Sequence, residues 1–294
     1  MPAKQSRVND FVLKIATVNG TGSASANGLI MKALFRMGIP VTGKNLFPSN
    51  IQGLPTWYEI RANRDGYMSA AGRVDVMVAM NVQTYQKDLA EVSPGGILIY
   101  DSTWPRERTL QRDDITVLGV PLLYVFGNHD QGIHTANGKF KQAPLGCINV
   151  DERVVKVKGL LIGGLEGSMR YSGRGNHQYT EQDMRWKALR MAPALWWNRL
   201  RHGRFLDILI THAPPYGIHD GADLCHTGFK TFLRLMDVYR PRYLIHGHQH
   251  VYSPHTTTRT TYHHTQVVNT YGYQVIHFDT ATSNESIFSI SRGM

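Results

Sequence analysis

Three short polar clusters, each following an apolar run, have the residue types that metal chemistry needs. They are Gly127-Asn128-His129-Asp130, Thr211-His212-Ala213-Pro214-Pro215 and His246-Gly247-His248-Gln249-His250. Imidazole nitrogen and amide oxygen suit borderline divalent ions such as manganese, iron or zinc, so Asn128, His212, His248 and His250 form a candidate ligand set. A lone histidine at a strand end is ordinarily only a hydrogen-bonding side chain. Ligand-type residues recurring in ordered clusters make a constellation, and that reverses the ordinary reading.

The runs ahead of these clusters must position them. Leu122 to Phe126 is an apolar strand delivering Gly127, Phe205 to Ile210 runs into Thr211, and Tyr243 to Ile245 runs into His246. Proteins of the α/β class place chemistry at the carboxyl ends of strands, so the clusters are expected to converge. Met184, Ala188 and Met191 recur at helical spacing, Pro193 is expected to break or kink that helix, and Leu195, Trp196 and Leu200 resume it.

The earlier part of the chain alternates strand and helix. Phe11 to Val18 reads as a strand closed by Asn19-Gly20-Thr21-Gly22, and Leu29, Ile30, Ala33, Leu34 and Met37 mark a helix ended by Gly38 and Pro40. Val74 to Met80 is a strand, Tyr85, Leu89 and Val92 a short helix, and Gly96 to Tyr100 a strand ending at Asp101. This order predicts a parallel sheet. The expected core includes Ile15, Leu34, Val76, Val78, Leu98, Val125, Leu209, Phe232 and Leu244. The Asn19–Gly22 turn lacks the full dinucleotide spacing and a later acidic partner, so no cofactor is assigned to it.

Composition narrows the classes. A chain of 294 residues can bury one large core or two modest ones. Its apolar runs are too short to cross a bilayer and no charged-apolar-small leader opens it, so a soluble, cytoplasmic protein is expected. Cys147 and Cys225 make neither a disulfide framework nor a zinc ribbon and read as buried or idle thiols. The net charge of +10 comes from scattered lysines and arginines without a nucleic-acid motif, so nucleic acid is not indicated. All 14 histidines lie at or after His129, which suggests that the chain changes source near residue 121.

Two resemblances follow that division. From about Asn9 to Pro121 the chain resembles the gamma domain opening the alpha subunit of 2-oxoacid:ferredoxin oxidoreductases of the 2-oxoglutarate type. The carriers are FVLKIATVNGTGSASANGLIMKALFRMGIPVTGKNLFPSNIQGLPTWYEIR, VDVMVAMN and PGGILIYDSTWPRERT. The resemblance implies a Rossmann-like half-domain and an oxidoreductase partner subunit. It stops before the thiamine-diphosphate-binding domains, so docking rather than oxoacid chemistry is expected of this chain alone.

From residue 122 to about 282 the chain resembles the calcineurin-like metallophosphoesterases, through YVFGNHD, THAPP and RYLIHGHQHVY in that order. The resemblance implies two nearby ions that polarise a phosphate ester and generate the attacking hydroxide. Carried over by motif, Asn128, His212 and His248 hold the second metal, His250 the first, and His129 is catalytic, assisting the leaving oxygen or steadying the phosphate. The segment HAPPYGIHDGADLCHTGF looks like a subfamily feature reaching substrate through His219, Asp220 or His226, with a structural loop as the alternative. The family's first metal normally uses Asp-x-His and Gly-Asp motifs, and the sequence contains neither. Asp101, closing a strand ahead of Asn128, is the carboxylate best placed to bridge the metals, and capping of the following turn is its alternative role.

The fold expectation is therefore α/β, a Rossmann-like half-domain (1–121) joined to the C-terminal half (122–294) of a layered phosphoesterase sandwich. Three readings follow: a metal-dependent phosphoesterase with an incomplete first-metal site, holding one ion or two; a component of an oxoacid oxidoreductase; and a recombined chain without activity.

Overall fold

The computed structural model describes residues 9–18, 23–46, 54–103, 112–130, 133–134, 140–141, 147–173, 175–253, 255–271 and 274–277. The Asn19–Gly22 turn lies outside them. The chain divides into two compact units, residues 1–122 with 143–148, and residues 123–142 with 149–294. No helix among the described residues is long and apolar enough to cross a membrane.

In the first unit the order is β1 (Asp10–Val18), α1 (Ser23–Arg36), β2 (Val41–Leu46), β3 (Pro55–Asn63), β4 (Val74–Ala79), α2 (Tyr85–Glu91), β5 (Val92–Asp101) and β6 (Thr116–Val120). These strands form one sheet in the order β2-β3-β1-β4-β5-β6. β1, β4, β5 and β6 run parallel, as the alternation of strand and helix predicts. β3 and β2 join antiparallel beyond β1, making the sheet mixed. The sequence reading missed both: Gly43 interrupts β2, and β3 mixes apolar, charged and polar residues.

The core of this unit gathers Met77, Ala79, Tyr85, Leu89, Val92 and Leu98, where α2 packs on β4 and β5. Side chains alternate across a strand, so Val76 and Val78 point away from α2 and are only half-buried. The structure thus corrects the expected core at Val76, Val78, Leu34 and Val125, all half-buried, while Ile15, Leu98, Leu209, Phe232 and Leu244 are buried. On α1, Leu29 and Ile30 are exposed despite their helical spacing, and so is Met37 just past its end.

The second unit opens with β7 (Leu123–Tyr124), shorter than the apolar run predicts. Its main sheet, also six-stranded among the described residues, runs in the order Val154–Val157, Leu160–Leu165, Ile208–Thr211, Tyr243–His246, Thr265–Asn269 and Arg259–Tyr262. The four inner strands are parallel and in register, with Leu165 opposite Thr211, Thr211 opposite His246, and His246 opposite Asn269. Their carboxyl ends therefore form one edge.

Helix α3 (Glu181–His202) starts with a capping box between Thr180 and Asp183 and ends at Gly203 in the left-handed region, φ 74°. Pro193 lies inside it and does not divide it. Met184, Met191 and Leu195 are buried on both sides of the proline, so packing holds the helix together across the missing hydrogen bond. Trp196 and Leu200, expected on the same face, are exposed. Glu181 receives the Lys230 and Thr231 amides and so caps α4 (Lys230–Tyr239), whose Phe232, Leu235 and Met236 join the core.

Candidate metal centre

The aligned strand ends bring the polar clusters together. Gly167, just past Leu160–Leu165, donates its amide to Phe126 O at 2.9 Å, which holds the Gly127–Asp130 turn at that edge. Asp130 Oδ2 accepts the Gly127 amide and fixes the turn. His212 follows the Ile208–Thr211 strand directly, and its carbonyl accepts the Gly247 amide at 3.1 Å. His248 has φ 62°, a left-handed conformation uncommon for a residue with a Cβ.

Asn128 Oδ1 lies 2.9 Å from His212 Nε2, and His248 Nδ1 lies 3.0 Å from the same nitrogen. Both remaining handles are tied down. Asn128 Nδ2 donates to the Tyr171 hydroxyl at 3.1 Å, so its carbonyl oxygen is the atom turned towards His212. His248 Nε2 lies 2.8 Å from Cys225 O, and since a carbonyl only accepts, the proton is on Nε2 and the Nδ1 lone pair is free. Gly127 makes room for the His212 ring, because a Cβ there would stand 2.6 Å from His212 Cε1.

Electrostatics favour a ligand role. Burial, then the neighbouring histidines beginning with His248, lowers the His212 pKa to about 3, so the ring is neutral and keeps a lone pair at physiological pH. Burial also lowers the pKa of His248, against the Cys225 carbonyl bond, which raises it. The trio of donors fits one divalent ion. Ligands at right angles with bonds of about 2.1 Å are separated by about 3.0 Å, close to the spacing found. A backbone carbonyl behind one ligating imidazole is the customary support for a metal-bound histidine.

The other predicted site residues divide. His129 is exposed, close enough to both His212 and His248 to act on their charges. His250 is exposed at the rim, bonding Tyr252 through Nδ1 at 2.9 Å and leaning on the Tyr271 ring, with a coulombic effect on His248. His226 lies over the His248 ring. His219 is committed to packing: Nδ1 meets His246 Nε2 at 3.0 Å and Nε2 meets Thr260 Oγ1 at 2.8 Å. Asp220 Oδ2 accepts the Gly217 and Gly228 amides and pins the loop. Asp101, in the first unit, accepts the amide and hydroxyl of Thr103 on Oδ1, the turn-capping arrangement. Burial raises its pKa.

Sequence reasoning missed three contributors. Tyr171 orients Asn128 from a loop with no motif to flag it. Cys225 supplies the carbonyl for His248 and places its thiol 3.9 Å from His248 Nε2, so it is not the idle thiol expected. His246, in plain view within its motif, continues the His219 contact to the Gly247 carbonyl. The Cys225-His226 pair inside the 213–230 loop was the one available signal.

Two family models match overlapping parts of the chain. A family model described as pyruvate ferredoxin/flavodoxin oxidoreductase matches residues 12–137. The alpha subunit of 2-oxoacid:ferredoxin oxidoreductase 2 from Aeropyrum pernix is 30% identical over 113 residues, 38% of this chain and 17% of that protein. The chain thus spans under a fifth of that curated relative. Among solved structures, a 2-oxoglutarate:ferredoxin oxidoreductase from Magnetococcus marinus has TM-score 0.35 and 22% identity, covering 39% of this chain and 20% of that one. A Thermus thermophilus protein has TM-score 0.33 and 13% identity, covering 91% of this chain and 94% of its own. The family model for calcineurin-like phosphoesterases matches residues 95–252, more than half of the chain and every residue of the Asn128–His212–His248 trio. The chain therefore belongs to the calcineurin-like phosphoesterases, with an oxidoreductase-type domain at its N-terminal end.

Proposed function

We propose that the chain is a metal-dependent hydrolase of phosphomonoesters or phosphodiesters, built on the Asn128, His212 and His248 position, with the first-metal position incomplete. The observation that carries this reading is the convergence of three lone-pair donors, His212 Nε2 lying 2.9 Å from Asn128 Oδ1 and 3.0 Å from His248 Nδ1. A bound divalent ion, manganese in the first instance, supplies charge stabilisation of the phosphoryl oxygens and a hydroxide at neutral pH. Asn128, His212 and His248 hold that position, and His250 contributes to a first-metal position beside it. His129, exposed at the turn, steadies the ester phosphate or gives a proton to the leaving oxygen. His226 extends this side towards substrate. His219 and Asp220 act through the loop they hold, and Asp101 takes the turn-capping role instead of a bridging one. The working division is residues 1–121 and 122–294. Two free thiols accord with a reducing, cytoplasmic setting.

The test is hydrolysis of an aryl phosphate ester by the full chain. Activity should need added manganese or a similar ion and be lost in His129→Ala and in His248→Ala. Undiminished hydrolysis in excess chelator would refute the reading.

A second reading, docking to an oxidoreductase partner subunit through the first unit, is supported by the match of residues 12–137. Reduction of a viologen dye by an oxoacid, coenzyme A and this chain alone is not expected of a docking unit, and observing it would replace docking with oxoacid chemistry.

A further inference from the structure

The His248 ring faces two places. Nδ1 is directed at His212 Nε2, 3.0 Å away, while Nε2 is directed at Cys225, with the carbonyl at 2.8 Å and Sγ at 3.9 Å. His226 covers the ring, with centroids 5.0 Å apart and 32° between planes. The Asp223 carboxylate takes His226 Nδ1 at 2.7 and 2.9 Å, which leaves Nε2 as the nitrogen with a usable lone pair. One ligand atom each from Cys225, His226 and His248 can be chosen so that all lie within 4.8 Å of one another. A tetrahedral site with metal–sulfur bonds of about 2.3 Å and metal–nitrogen bonds of about 2.0 Å has ligands roughly 3.3–3.5 Å apart. Shifts of about 1 Å in partly exposed side chains would close the cluster. A thiol with two imidazoles, one backed by a carboxylate, suits zinc and its soft congeners far better than magnesium or manganese.

We propose that Cys225, His226 and His248 form a second cation position, selective for zinc-class ions, that competes with the Asn128–His212 position for the His248 ring. Ion binding here is a property of the cluster itself, and only its competition with the Asn128–His212 position rests on the phosphoesterase reading. The competition follows from the lone pairs of imidazole, since a neutral ring has one. With the Nε2 proton given to the Cys225 carbonyl, the Nδ1 lone pair serves the Asn128–His212 side. With Nε2 ligating on the thiol side, the proton moves to Nδ1 and faces the other position, which loses a donor. The tautomer shift releases no proton, and thiolate formation at Cys225 releases one to solvent.

The test uses the full chain, stripped of metal, with cobalt(II) as the probe. Thiolate-to-cobalt charge-transfer absorption should appear and saturate at one ion per chain. It should vanish in Cys225→Ser and persist in Cys147→Ser. Asp223→Asn should weaken cobalt binding about 10-fold, as removal of a carboxylate behind a ligating histidine typically does. Excess manganese should raise the apparent cobalt Kd. No charge-transfer band, or a band that survives Cys225→Ser, would overturn the site, and a cobalt Kd indifferent to manganese would overturn the shared ring. If Cys225→Ser does not fold, His226→Gln decides, since unchanged cobalt affinity there also overturns the site. Absence of manganese-dependent hydrolysis with the band present would remove the phosphoesterase reading and leave this position standing.

Discussion

Gly127→Ala should damage the metal centre while sparing the fold. The new Cβ would stand 2.6 Å from His212 Cε1, 2.9 Å from Nδ1 and 3.0 Å from Nε2. Ordinary carbon contacts lie near 3.5 Å, so the ring must retreat by about 0.9 Å. A metal–nitrogen bond tolerates a deviation of only about 0.2 Å, so the displaced imidazole is strained or lost as a donor. Loss of correct placement of one ligand costs about 10–100-fold in affinity, or roughly 1.4–2.8 kcal/mol. The Gly127 backbone lacks the positive φ that would itself penalise alanine, so the effect is steric. Calorimetric titration of manganese into both chains reads the affinity, and melting in excess chelator reads the fold. Equal affinities within about twofold, in an alanine variant that melts like the parent, would refute the placement of the His212 ring.

Lys187 is buried at 4% exposure between Asp151 at 2.6 Å and Glu152 at 2.8 Å, with Glu166 at 3.9 Å. Lys187→Ala takes the cation from half-buried Asp151, while Glu152 keeps Arg190 and Glu166 keeps Tyr179, and should cost about 3 kcal/mol in chemical denaturation, and a loss below about 1 kcal/mol would contradict that. Tyr171→Phe removes the acceptor that orients Asn128 and should weaken manganese binding several-fold without changing the apo melting temperature. Burial holds His212 and His246 at a pKa of about 3, against 6.5 in the unfolded chain. Between those values the unfolded state binds more protons, so the metal-free chain should lose stability as pH falls below 6.5. The slope approaches about 1.4 kcal/mol per pH unit per histidine, and denaturation midpoints flat between pH 6.5 and 4 would overturn the burial argument.

What could be read in the sequence was whatever short-range order dictates. Apolar runs ending in Asn128, His212 and His248 already specified strand ends carrying ligand-type residues, because the alternation of strand and helix is local. The parallel pairing of β1, β4 and β5 and the helices α2 and α3 were legible for the same reason. β2 and β3 were not, since their side-chain pattern becomes a strand only when paired. Val76 and Met77 are equally apolar, and which one is buried depended on where α2 packs.

The sequence alone determined the donor types, their order and the class of ion they suit. Tertiary structure decided which atoms meet: that the Asn128 oxygen rather than its nitrogen faces His212, because Tyr171 takes the nitrogen, and that His248 presents Nδ1, because the Cys225 carbonyl takes Nε2–H. It also separated His226, tilted against the His248 ring, from His219, which is closed off by His246 and Thr260. Ring tautomers and amide orientation are set by partners distant along the chain, 43 residues for Asn128 and Tyr171 and 23 for His248 and Cys225, and no local pattern encodes them.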